Sequence, residues 1–177
     1  PIDRLRALVV THVHIDHVGR IPYLLAAGFK GPIICSEASA QLLQLVIEDA
    51  LKVGFTRDSA LIAKVLGQLR AQTVALPYKE WLTLIDGGPA LGLRVKLQPA
   101  GHILGSAYVE FDVRGAVGQS ERVLFSGDLG APYTPLLPAP TPPLGADVVV
   151  MESTYGDRVH DSRRTRRQRL QKLCEHA

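Results

Sequence analysis

Cysteine is scarce in this sequence. The two present, Cys35 and Cys174, lie far apart and in no C-x-x-C spacing. That excludes a disulfide framework and a cysteine-built zinc knuckle, and it leaves two free thiols of the kind a cytosolic protein carries. Long apolar runs are missing too: no uninterrupted stretch is long enough to span a bilayer. No secretory signal pattern opens the chain, although a first residue of Pro1 instead of Met suggests a fragment. Neither an internal repeat nor a low-complexity linker interrupts it.

What remains is the make-up of a globular domain. A length of 177 residues with 46% hydrophobic content suits one domain with a full core. The net charge of +3 hides a local excess. Arg158, Arg163, Arg164, Arg166, Arg167, Arg169 and Lys172 crowd the end of the chain, against Asp161 and Glu175. This is either the solvated face of a helix or a patch that meets phosphates, and charge alone does not separate the two.

The densest chemistry lies in Thr11-His12-Val13-His14-Ile15-Asp16-His17, straight after the apolar run Ala7 to Val10. Histidines at alternate positions of an extended segment point to the same side, so both imidazoles can share one ion. Asp16 and His17 follow where the chain turns, and offer an oxygen and a nitrogen to a second ion nearby. Zinc accepts both donor types at about 2.0–2.2 Å.

Periodicity sets this cluster on a strand-to-helix loop. Leu5 to Val10 reads as a buried strand, and Val18 to Ala27 as a helix with Pro22 in its first turn and Gly28 just past its end. Ile33 to Cys35 is a short strand. Ser36 can cap a helix to about Val53, whose many leucines and isoleucines predict cover on much of its circumference. Asp58 can cap another, with Leu61, Ile62, Val65, Leu66 and Leu69 on one face. From Thr73 the pattern turns to strands at Thr73 to Leu76, Trp81 to Leu84, Leu93 to Leu97, Ala107 to Val113 and Arg122 to Phe125. Pro132 to Pro143 is too proline-dense for a central sheet and reads as a surface loop. Ala146 to Met151 reads as a buried strand, and Ser162 to Glu175 as a charged helix.

One regularity links these pieces. Val95–Pro99 runs into Gly101-His102, Val123–Phe125 into Ser126-Gly127-Asp128, and Val148–Met151 into Glu152, as Ala7–Val10 runs into His12 and His14. If the strands lie side by side, their carboxyl ends gather all these groups at one edge of the sheet. His12, His14 and His102 would then give one zinc three nitrogens with positions left open, the pattern of a catalytic site. Asp128, with two carboxylate oxygens, could bridge to a second ion. A pair of ions about 3.5–4 Å apart activates a shared water and stabilises in-line displacement at phosphorus.

H-x-H-x-D-H, then G-H-I-L-G-S-A, then F-S-G-D-L-G resemble, in this order, motifs of the metallo-β-lactamase superfamily. Glu152-Ser153-Thr154-Tyr155-Gly156 resembles the E-S-T-Y-G element of its β-CASP branch of RNA-processing nucleases. The resemblance implies an α/β fold, a metallo-β-lactamase-like αββα sandwich incomplete at both ends. Residues 1–153 would be the partial catalytic domain, and 154–177 the start of the β-CASP cap region with its basic helix. It implies His12, His14 and His102 on a first zinc, Asp16 and His17 on a second, and Asp128 between them. Glu152 matches an acidic residue that in the family pairs with a distant histidine thought to protonate the leaving oxygen. Asp16 and Glu152 are therefore the catalytic candidates.

The family's Asp motif before the first histidine cluster and its two later His motifs have no counterpart here. His160 and His176 stand in other contexts and read as surface residues, so full activity is not expected of this piece alone. The function implied is that of a cytoplasmic zinc-dependent ribonuclease, dinuclear when complete. Arg163, Arg164 and Arg167 would contact RNA. No membrane partner is expected, and homo-oligomerisation is left open. The alternatives are hydrolysis of a thioester or lactam by the same centre, or a non-catalytic scaffold subunit for RNA processing.

Overall fold

A computed structural model describes residues 2–88, 91–115, 119–159 and 163–176. After a 3-10 turn at Ile2–Arg4, strand β1 is only Leu8–Val9, shorter than the run of apolar residues predicts. Helices α1 (Ile15–Val18) and α2 (Ile21–Ala26) follow as two pieces, not one, because the chain turns at Gly19-Arg20. Pro22 sits in the first turn of α2, and Gly28 takes the left-handed φ of +95° just beyond it. Next come β2 (Ile33–Ser36), α3 (Glu37–Gly54), α4 (Ser59–Gln72) and β3 (Thr73–Leu76). Ser36 and Asp58 cap α3 and α4 as expected, each side chain accepting from backbone N–H groups of the first turn.

Strands β1, β2 and β3 form a parallel three-stranded sheet. Parallel neighbours need crossover connections, here α1 with α2 and then α3 with α4. The helices pack on one face of the sheet through Val18, Leu25, Leu43, Ile47, Ile62 and Leu69. Only one stripe of α3 is buried: Ser39, Leu43, Ile47 and Leu51. The broad cover expected around α3 is absent. Leu45 and Val53 are 64% and 81% exposed, because sheet and α4 meet the helix on one side and its far side lines an open groove with Ile15 and Phe55.

The later strands make a second sheet in the order β4 (Trp81–Asp86), β5 (Gly92–Pro99), β6 (Ala107–Arg114), β7 (Ser120–Phe125) and β8 (Val148–Val150). All pairs are antiparallel except β7 with β8. Val95, Leu97, Ala107 and Val109 pack against Ile34 and Val9 of the first sheet. This gives three layers in sequence: helices, sheet, sheet. The outer face of the second sheet is polar where β5 meets β6, and apolar where Tyr108, Leu124 and Val149 line one pocket with Pro140 and Pro142. Lys96 pairs with the buried Glu110 over 2.9 Å, Arg94 with Asp112, and Lys96 and Arg94 lie over the Trp81 ring.

Strand β8 corrects an expectation. The sequence predicts it buried, yet Val148, Val149 and Val150 are 41%, 55% and 50% exposed, since among the described residues β8 is an edge strand bonded to β7 alone. The helix α5 (Arg163–Glu175) is exposed, and among the described residues no helix covers the outer face of the second sheet.

Candidate metal centre

The strands that carry the candidate ligands do not all lie in one sheet. β1 belongs to the first, and β5, β7 and β8 to the second. Because β6 is antiparallel to both β5 and β7, and β8 parallel to β7, the last three share one direction and end at one edge. The end of β1 is brought to that edge by the N–H of Ala107, which donates to the Thr11 carbonyl over 2.7 Å.

His12 follows β1 and is fully buried, while His14 is exposed and stands at the N-cap of α1. His102 sits in the turn between β5 and β6, where Ser106 Oγ accepts from the N–H groups of His102 and Ile103 at 3.0 and 3.2 Å. Asp128 follows β7 on a loop fixed at both sides. Glu152 Oε1 accepts from the Leu129 N–H at 2.6 Å, and the Glu152 N–H donates to Ser126 Oγ at 3.0 Å.

Four donor atoms converge. His14 Nδ1 lies 3.1 Å from His12 Nε2 and 3.1 Å from His102 Nε2. Asp128 Oδ2 lies 3.7 Å from His12 Nε2 and 3.5 Å from His102 Nε2. All four fall within 4.8 Å of one another and can hold a metal ion. Ligand atoms at about 2.0–2.1 Å around a tetrahedral ion are about 3.3 Å apart, so the donor set fits zinc in both chemistry and spacing. The other oxygen, Asp128 Oδ1, is 3.4 Å from His17 Nε2, which is itself 3.4 Å from Asp16 Oδ2. Asp128 thus faces two donor groups with its two oxygens. The second group is the poorer one, and its Asp16 side chain is 73% exposed.

Residues 1–159 match the metallo-beta-lactamase superfamily. The chain belongs to that superfamily. It is 40% identical over 159 residues to a ribonuclease of Thermus thermophilus, covering 87% of this chain and 33% of the relative. A transcription termination factor of Methanothermobacter thermautotrophicus is 33% identical over 174 residues, 97% of this chain and 26% of the relative. Cleavage and polyadenylation specificity factor 73 of Drosophila melanogaster is 27% identical, with 98% and 24% covered. The chain therefore spans about a third or less of these relatives. Metallo-β-lactamase MIM-1 from Novosphingobium pentaromativorans superposes with a TM-score of 0.41 at 21% identity, over 72% of this chain and 44% of that one.

In this metallo-β-lactamase domain the electrostatics favour metal binding. Burial lowers the pKa of His12 to about 4, helped by the neighbouring His17 and opposed by Asp128. At neutral pH His12 is uncharged, the form that ligates. The Leu129 N–H holds the Glu152 carboxyl below the usual carboxylate range, against the effect of burial. Glu152 is ionised at neutral pH.

Other site expectations have different outcomes. His160 lies outside the described residues. His176 is exposed just past the end of α5, its Nδ1 2.7 Å from the Lys172 carbonyl. Arg167 lies on the exposed α5, and the side chains of Arg163 and Arg164 lie outside those described. Ser106 and Ser126 were not singled out from sequence, although both stand inside the motif frames that carry His102 and Asp128.

Proposed function

We propose that this chain is the metal-holding part of a zinc-dependent ribonuclease with two ions when complete. The observation that carries the reading is Asp128, whose two oxygens face His12 with His102 on one side and His17 on the other. On this reading His12, His14 and His102 hold the first zinc, Asp16 and His17 the second, and Asp128 both. Zinc bound there supplies an activated water and neutralises charge developing on a phosphoryl group. Asp16, exposed at the mouth of the cluster, takes the proton of the attacking water. Glu152, ionised and fastened to the loop of Asp128, fixes that loop and orients the acid that protonates the leaving oxygen.

The names of the relatives support RNA as substrate: a ribonuclease, and a cleavage and polyadenylation factor. On this reading residues 1–153 form the catalytic part and 154–177 open the cap region, which the bonds of Glu152 to the metal loops and the exposure of α5 support. Arg163, Arg164 and Arg167 on α5 then meet the RNA backbone. No helix among the described residues is long and apolar enough to cross a membrane. The two free thiols support our reading of a cytoplasmic protein.

The test is metal content together with hydrolysis of RNA and of a generic phosphodiester by the full-length protein. Expected are two zinc ions and cleavage of both substrates, with His102→Ala losing metal and cleavage alike. Two bound zincs without turnover of either phosphodiester would sink the nuclease reading, and unchanged zinc in His102→Ala would sink the ligand assignment. A lactam or a thioester as the substrate hydrolysed would move the centre to another reaction.

A further inference from the structure

We propose that Ser36 and Ser39, at the start of α3, are positioning residues for His102 and set how tightly the centre holds its ion. This rests on the reading of His102 as a metal ligand. Both hydroxyls donate to one carbonyl, Gly105 O, at 2.6 and 2.9 Å, across 69 and 66 residues of sequence. Both serines are buried, at 1% and 0% exposure. Gly105 takes a φ of +83°, and a Cβ on it would lie 2.6 Å from Ser39 Oγ, so only glycine lets the turn come this close.

The next residue carries the connection to the metal centre. Ser106 Oγ accepts from the N–H groups of His102 and Ile103. The Ser106 carbonyl accepts from Tyr78 Oη at 2.9 Å and from the Ala100 N–H at 3.1 Å. The turn that presents His102 is therefore held from α3 through Gly105, and from the segment after β3 through Ser106. Its ring nitrogen must stay at 3.1 Å from His14 Nδ1 for one ion to use both, and ligand placement of that accuracy depends on supporting hydrogen bonds.

The helix itself does not need the second hydroxyl. Ser36 already serves as its N-cap, accepting from the Ser39 N–H at 3.2 Å. Inside the first turn, alanine is a better helix former than serine. The Ser39 hydroxyl is explained by its partner on the metal turn, not by α3. Ser39→Ala separates the two roles, since it keeps the cap and removes one hold on the turn.

The experiment measures zinc affinity of the intact chain by competition with a chromogenic chelator, with the visible spectrum of the cobalt(II)-loaded protein as a second readout. Wild type is compared with Ser39→Ala, with the Ser36→Ala/Ser39→Ala double variant, and with Ile47→Ala. The last opens a cavity in the same helix and touches none of these bonds. We expect Ser39→Ala to bind zinc about tenfold more weakly and the double variant up to about a hundredfold, the range for lost supporting bonds. Their cobalt bands should shift. Ile47→Ala should melt earlier with zinc affinity unchanged. Wild-type affinity and spectrum in Ser39→Ala overturn the proposal, and so does an equal loss in Ile47→Ala. If the double variant does not fold, Ser39→Ala alone decides. A wild type that takes up no zinc overturns the metal reading itself, a distinct result.

Discussion

Two loops meet at the centre with backbone against backbone, and a single hydrogen atom in place of a side chain permits it. The Gly130 N–H donates to the Ala100 carbonyl over 2.8 Å, and a Cβ on Gly130 would fall 1.7 Å from the Gly101 carbonyl oxygen. Neither partner can yield, because both are main chain beside a candidate ligand: Gly101 precedes His102, and Gly130 is two residues past Asp128. Gly130→Ala should therefore cost about 3 kcal/mol of stability, the upper end for overpacking. It should also lower zinc affinity by separating His102 from Asp128. Urea denaturation and zinc competition check both effects, and a variant as stable as wild type would show that the loops can part freely. At this scale the donors were legible in the sequence, since imidazole and carboxylate declare their chemistry by type and spacing. Ser36, Ser39, Tyr78 and Ser106 were not legible as a network. Hydroxyls are common, and here they bond to backbone groups or to residues far along the chain, which no local pattern reveals.

Strands and helices were legible where apolar period and cap agreed. The N-caps Ser36 and Asp58 both proved correct, and β3 begins and ends as the pattern predicts. What failed was cover. The apolar run that contains β8 predicts burial, but burial belongs to whatever packs on a strand, and among the described residues β8 has a neighbour on one side only. The same distinction gives the polar face of β5 and β6 its importance. Asp112, 7% exposed, accepts from Arg94 and from Ser120 at 3.0 Å. The Arg94 bond holds its carboxyl below the usual range. A folded-state pKa depressed in this way contributes stability that is present above the unfolded value and lost as pH falls through the folded one. Asp112→Asn should thus be less stable than wild type by about 2 kcal/mol at pH 7, the scale for a hydrogen bond to a charged group. The difference should shrink below about pH 4, close to the unfolded pKa of aspartate. Denaturant midpoints measured across that range test it, and a difference that stays constant with pH would assign the loss to packing instead of charge.

Across the molecule, the fold sets two sheets face to face so that strand ends from both meet at one edge, and that juxtaposition makes a site from residues as distant as His12 and Asp128. The sequence motifs pointed to the edge. They did not show that it lies between two sheets, because pairing between distant strands leaves no local mark. Charge is distributed differently. The metal edge is built from histidines and carboxylates, while the excess of arginine lies on α5, which is exposed. On the proposed reading, attraction for a polyanion and the chemistry at the centre belong to separate parts of the chain and can be removed separately. Replacing Arg163, Arg164 and Arg167 by glutamine should leave zinc content unchanged and weaken RNA binding most at low salt. Each phosphate contact on a single strand contributes about 0.7 to the slope of log K against log salt. Loss of three should make that slope shallower by about 2. Binding is measured on zinc-stripped protein so that the RNA stays intact. A slope equal to that of wild type would mean that α5 is only a solvated helix, and that the RNA backbone is held by another face of the protein.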